Sequence, residues 1–205
     1  MQSKSFEKFA GVCGILAGIV GFLYSVAFIV IQRRAPNLGG LLAALFLALA
    51  GLLTTAVVIG VYNRLRETDA AFALWALVLG LAGALGSLMH GGYDLGNAIN
   101  VPESIPANLA NLPSQVDPRG LLTFGAAGLA VFVVAWLIGK GDQFPKGLGY
   151  LGYLLSILLV VIYLGRLIVL NAASPLIVIP AVLTGFLINP AWNIWLGLSL
   201  WRGHN

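Results

Sequence analysis

Six residues in an otherwise apolar chain are of types that could do chemistry: His90, Asp94, Asn97, Tyr163, Arg166 and Asn189. A polar or ionisable group within a membrane-length segment is costly, and it usually faces the bundle interior or a wet cavity. His90 and Asp94 are one helical turn apart, so the carboxylate can orient the imidazole or hold it charged. Arg166 is the counter-ion expected for Asp94, within salt-bridge reach if their helices touch. Three readings stand side by side. The group could be a structural salt bridge or interfacial anchor, with Arg166 snorkelling on its long stem. It could line a ligand pocket, or it could be an acid–base centre. The last needs a further acid or base beside the His90–Asp94 pair, and the sequence offers only Glu103, on a loop.

Asn189 precedes Pro190, and Asn193 follows one turn later. Proline removes a backbone hydrogen bond and kinks a helix, and a neighbouring asparagine can satisfy the freed carbonyl. The pair is either that kink or the floor of the same cavity, with broken helix geometry offered to a ligand. Thr54 and Thr55 carry less information, since threonine commonly bonds back to its own helix.

Helices must bring these residues together, and small-residue stripes indicate how. Gly80, Gly83 and Ser87 lead by three-four spacing to His90, Asp94 and Asn97. Gly149, Gly152 and Ser156 lead through Leu159 to Tyr163 and Arg166 in the same way. Between helices in lipid there is no hydrophobic driving force, so spans associate where small residues allow close approach. Both stripes therefore predict a packed half and a polar half. A third stripe, Gly11, Gly14, Gly18, Gly21 and Ser25, is a pure packing seam, available to another helix, another subunit or a second copy.

The elements themselves follow from composition. Of 205 residues, 60% are hydrophobic and 9% charged, and the mean hydropathy is +0.96. Soluble domains carry roughly 25% charged residues, so lipid must be the solvent for most of this chain. About 20 apolar residues cross the hydrocarbon core as a helix. Six segments qualify, at about 9–31, 39–62, 71–94, 120–139, 147–170 and 176–201, giving an all-α bundle in a single transmembrane domain. The first stretch is too long for a signal-peptide core and is read as a retained span.

Orientation follows the positive-inside rule. Lys4, Lys8, Arg64, Arg66, Lys140, Lys146 and Arg202 fall on the side of the N-terminus, against Arg33, Arg34, Arg119 and Arg166 on the other. Both termini are thus expected in the cytoplasm of a bacterial inner-membrane protein, with the 95–119 loop outside. Within that loop Ser104, Ile105-Pro106, Leu109 and Leu112 predict a short amphipathic helix at the interface. Trp136, Trp192, Trp195 and Trp201 cluster near the cytoplasmic ends, as an aromatic belt would. A faint repeat at a spacing of 138 residues matches Gly11 with Gly149, Gly14 with Gly152 and Arg64 with Arg202.

Several chemistries lack their residues. No span contains lysine, so a retinal Schiff base is excluded, and the lone Cys13 makes neither a disulfide nor a cysteine zinc cage. His90 and His204 lie at opposite ends, which excludes bis-histidine haem ligation and leaves a single axial ligand through His90. GLGYLG at 147–152 opens a span instead of following a strand, so it is no nucleotide loop. The basic residues flank apolar runs instead of forming a patch, which argues against nucleic acid. No cofactor, metal or catalytic residue is expected.

A basic start feeding FEKFAGVCGILAG and a last span ending PAWNIWLGLSLWR together resemble uncharacterised bacterial six-span membrane families. The resemblance implies a six-span bundle and transfers no functional residue. Size and span count are also similar to those of substrate-binding subunits of vitamin-uptake transporters, with no shared helix motif. The expected function is non-enzymatic: an accessory subunit of a membrane complex, or a binder of a small or lipidic ligand in an outward-facing pocket. The alternative is the membrane component of a small-solute transporter, which requires a cavity reaching from His90 to Asn189.

Overall fold

A computed structural model describes residues 4–100, 116–169, 171 and 174–203, and among them all regular structure is helical. Six helices are long and apolar enough to cross a membrane: Ser5–Arg34, Pro36–Leu65, Ala70–Ile99, Pro118–Lys140, Lys146–Ile168 and Pro175–Arg202. The chain is a multi-pass membrane protein, with six such helices among the described residues. They overrun the apolar segments at several ends because a helix continues until a local signal stops it. The expected amphipathic helix at Ser104–Leu112 lies outside the described residues.

Local chemistry sets the helix ends. Ala35, in a non-helical conformation, separates the first two helices, and Pro36 opens the second with the φ its ring already holds. Asp69 caps the third helix by accepting from the Phe72 N–H at 3.2 Å. Asp117, fully buried, caps the fourth: its two oxygens accept from the N–H groups of Leu122 at 2.8 Å and Thr123 at 3.0 Å. The Lys146 ammonium donates to the carbonyls of Ile138, Gly139 and Gly141, closing the end of the fourth helix.

Each helix packs on its sequence neighbours and the sixth returns to the first, so the six form a ring. The glycine seam of the first helix is what closes it. A Cβ on Gly14 would lie 2.8 Å from the Gly197 Cα, and one on Gly11 2.6 Å from the Trp201 nitrogen, so backbones touch where only glycine fits. Gly18 meets Pro190 and Ile194, and Gly21 meets Asn189. This corrects the expectation of self-association through Gly11, Gly14, Gly18 and Gly21: their face is already covered by the sixth helix of the same chain. The spaced repeat does not extend to function either, since Arg64 is buried and Arg202 is exposed.

The stripes of the third and fifth helices pack as read. Gly83 sits against Ala127, and Gly149 and Gly152 against Ala135, so both helices hold the fourth between them. Most of the largest fully buried side chains gather where the termini meet: Leu65, Leu137, Ile138, Leu148 and Leu200, with Leu155 further along the fifth helix and Asp117 at the other end. Arg64 locks that end. Its guanidinium donates to the Ser199 and Leu200 carbonyls at 2.9 Å each and to Glu7 Oε2 at 3.3 Å, and it lies 5.2 Å over the Phe144 ring. One buried cation thereby ties the second helix to the first, the sixth and the 141–145 turn.

Away from the termini the helices loosen. Among the described residues three stretches adopt π-helical winding: Val26–Ile31, Leu121–Ala126 and Thr184–Ile188. Such bulges widen a helix and shift side chains around its axis, and they concentrate at functional sites. Pro180 and Pro190 flank the third bulge and remove backbone donors on either side of it.

Candidate ligand cavity

The ring encloses a cavity of about 1540 Å³. It extends from Tyr62 and Leu65 near the termini to Gln32, Arg33, Asp94 and Arg119 at the far end. The whole polar stripe of the third helix (Gly80, Gly83, Ser87, His90, Asp94 and Asn97) lines it, as do Arg166 and Asn189. All three π-bulges contribute to the wall, through Phe28 and Ile29, Thr123 and Phe124, and Thr184 and Gly185.

His90 and Asp94 form the pair that their spacing anticipates, with Nε2 3.2 Å from Oδ2 and the carboxylate the more exposed partner. Arg166 is not in it. No ion pair joins Arg166 to Asp94 among the described residues; the guanidinium instead lies 5.4 Å above the Phe124 ring. The reason is topological, because the fourth helix stands between the third and the fifth. Tyr24 of the first helix also lines the cavity, its ring stacked on Phe28 at 5.7 Å. Tyr163 is not among the lining residues. It packs against the fourth helix, where a Cβ on Gly125 would meet its ring at 3.4 Å. The offset of about 60° around the helix between positions 163 and 166 is enough to separate packing from lining.

Asn189 is held from within its own helix. The Asn193 amide donates to the Asn189 carbonyl at 2.9 Å and to its Oδ1 at 2.8 Å, and both residues line the cavity. The bond within the helix and the cavity wall thus involve the same two residues. Trp192, assigned to an interfacial belt by position, is only 3% exposed and faces the cavity instead.

Four buried side-chain polar atoms among the described residues have no hydrogen-bond partner: His90 Nδ1, Thr123 Oγ1, Thr184 Oγ1 and Trp192 Nε1. All four residues line this cavity. The atoms themselves are sealed from the open space, and leaving a buried donor or acceptor unmade costs about 1–3 kcal/mol each.

Sequence reasoning missed Arg119. It has φ +61°, in the left-handed region that non-glycine residues avoid, and Gly120 follows at φ +78°. The Asp117 cap anchors this turn and directs Arg119 to the far end of the cavity. The run Asp117-Pro118-Arg119-Gly120 carries the helix-start signal, but nothing in it announces a strained arginine. Thr123 and Thr184 had no signal, being single hydroxyls in apolar runs.

The described lining residues include no carboxylate besides Asp94 and no imidazole besides His90. Nor do the described residues contain a cluster of three metal-ligand types. No family model, curated protein or solved structure matches this chain.

Proposed function

We propose that the protein is a non-enzymatic, ligand-holding membrane protein whose cavity receives a small or lipidic molecule at the half remote from the termini. The observation that carries this reading is a cavity of about 1540 Å³ whose wall includes His90, Asp94, Asn97, Arg119, Arg166 and Asn189. A packed scaffold would bury apolar groups there. A ligand-holding site instead lines an otherwise apolar space with a few polar groups. With the termini in the cytoplasm of a bacterial inner membrane, as the basic residues argue, His90, Asp94, Asn97, Arg166 and Arg119 would face outward. The accessory-subunit reading is weakened, since the glycine seam it relied on is spent within the chain.

The test is extraction of the purified native protein, with mass spectrometry of whatever is released. A discrete molecule should come off the wild type and be depleted in His90→Ala and Arg166→Gln. A wild type that yields none, and that binds no amphiphile added back, would refute the reading.

A second reading, a solute-transport component, draws on one observation: the cavity does connect His90 to Asn189. In a Cys13→Ser background, a cysteine at Asn193 should then react with impermeant reagents from opposite sides under different conditions. Labelling from one side only favours the binding protein.

A further inference from the structure

Building on the cavity reading, we infer that the occupant is an anionic, phosphate-bearing membrane lipid that enters sideways between the first and sixth helices. Two independent features lead there. The first is a gap in the ring. The first and sixth helices stay in contact from Gly11 and Trp201 up to Phe22, whose ring meets Phe186 edge-on at 5.7 Å, and Ser25, which abuts Gly185. Beyond these pairs no substantial contact joins Val26–Ile31 to Pro175–Leu183 among the described residues. The first helix leans on the second there, and the sixth on the fifth. Phe28 and Ile29 line the cavity on one side of the gap, and Val178, Ala181 and Val182 on the other. These rims are apolar, so an acyl chain can pass while a hydrated solute gains nothing. The π-bulge starting at Val26 is where the first helix parts from the sixth.

The second feature is charge. Among the described residues, the charged side chains lining the cavity besides the His90–Asp94 pair are Arg33, Arg119 and Arg166. None of the three arginines makes an ion pair among the described residues. They belong to the first, fourth and fifth helices and so approach from different sides of the far end. Guanidinium groups match phosphate oxygens in a planar, bidentate fork. Arg119 reaches this place only by a left-handed backbone, and strain of that kind is retained where the side chain's position matters. Below the arginines the wall turns apolar at Leu77, Val131, Leu155 and Leu159, which suits the tails. A phosphate headgroup at the arginines with its chains leaning toward the gap satisfies both features.

The experiment is native mass spectrometry of the full chain in detergent, titrated with phosphatidylglycerol and with phosphatidylcholine of the same chains. Inorganic phosphate serves as competitor. Phosphatidylglycerol should bind about tenfold more tightly, the preference expected from a few interfacial arginines. Arg119→Gln combined with Arg166→Gln should abolish the preference, whereas Lys8→Gln, at the opposite end, should keep it. Ala181→Trp, narrowing the gap, should weaken both lipids. If the double variant does not fold, Arg33→Gln on its exposed side chain must reduce the preference severalfold by itself. Equal affinity for the two lipids overturns the headgroup assignment, yet leaves the cavity reading standing if a native molecule is still extracted. Displacement by inorganic phosphate makes a free anion the ligand and overturns the lipid. Loss of both lipids and of any extracted molecule brings down the cavity reading as well.

Discussion

The half of the bundle that holds the termini and the half remote from them are built from the same six helices on opposite plans. Near the termini, helices touch backbone to backbone at Gly11, Gly14 and Gly197, leucines fill the core, and the one buried cation among the described residues is fully committed. At the remote half the helices change winding in three places, two of them part, and buried polar atoms stand without partners. Stability is concentrated at one end so that the other can remain hollow. The same chemical change should therefore have opposite consequences at the two ends.

The largest effect is expected at Arg64. Arg64→Ala strips two carbonyls and Glu7 of their donor and should cost about 3 kcal/mol. That is the low end for a broken buried pair, because Glu7 retains 19% exposure. Unfolding in detergent at increasing SDS would measure it, and a change below about 1 kcal/mol would mean that the lock is ornamental. Next comes the seam. Gly14→Leu must push the sixth helix off the first and should cost about 2 kcal/mol, whereas Gly40→Leu, at a glycine with open space around it on the cavity wall, should cost far less. Equal losses would erase the contrast between the halves.

Asp117→Ala removes both bonds that start the fourth helix and should cost about 1–2 kcal/mol. Hydrogen exchange should rise at Leu122 and Thr123 and stay unchanged near Lys140. The smallest effect is the most discriminating in sign. Thr184→Val replaces an unpartnered buried hydroxyl with a methyl and should stabilise the empty protein by up to about 1 kcal/mol. Destabilisation in the ligand-free state would show that the hydroxyl already has a partner. Truncating a partnered polar group should thus weaken either half, whereas removing an unpartnered one should tighten the hollow half.

Much of this contrast is written in the three-four stripes. Glycine spacing identified the packing faces of the first, third and fifth helices, and the change from Gly80 and Gly83 to His90 and Asp94 marked where packing gives way to polarity. The stripe could not say which neighbour it meets. Arg166 was paired with Asp94 on charge alone, and the ring places the fourth helix between them. Tyr163 was assigned to the same face as Arg166, but small angular differences decide lining when a helix is shared by two neighbours. Arg64 looked like a topological charge because its partners, two carbonyls of the last turn, leave no trace in residue type.

The sequence by itself determined the solvent, the number of spans and the polar stripe, because each depends only on composition and on the 3.6-residue period of a single helix. Which helices adjoin, which seam closes the ring, and that Arg33, Arg119 and Arg166 converge on one cavity were decided by tertiary structure. Neighbour choice depends on the fit between two surfaces far apart in the chain, and no local period encodes it.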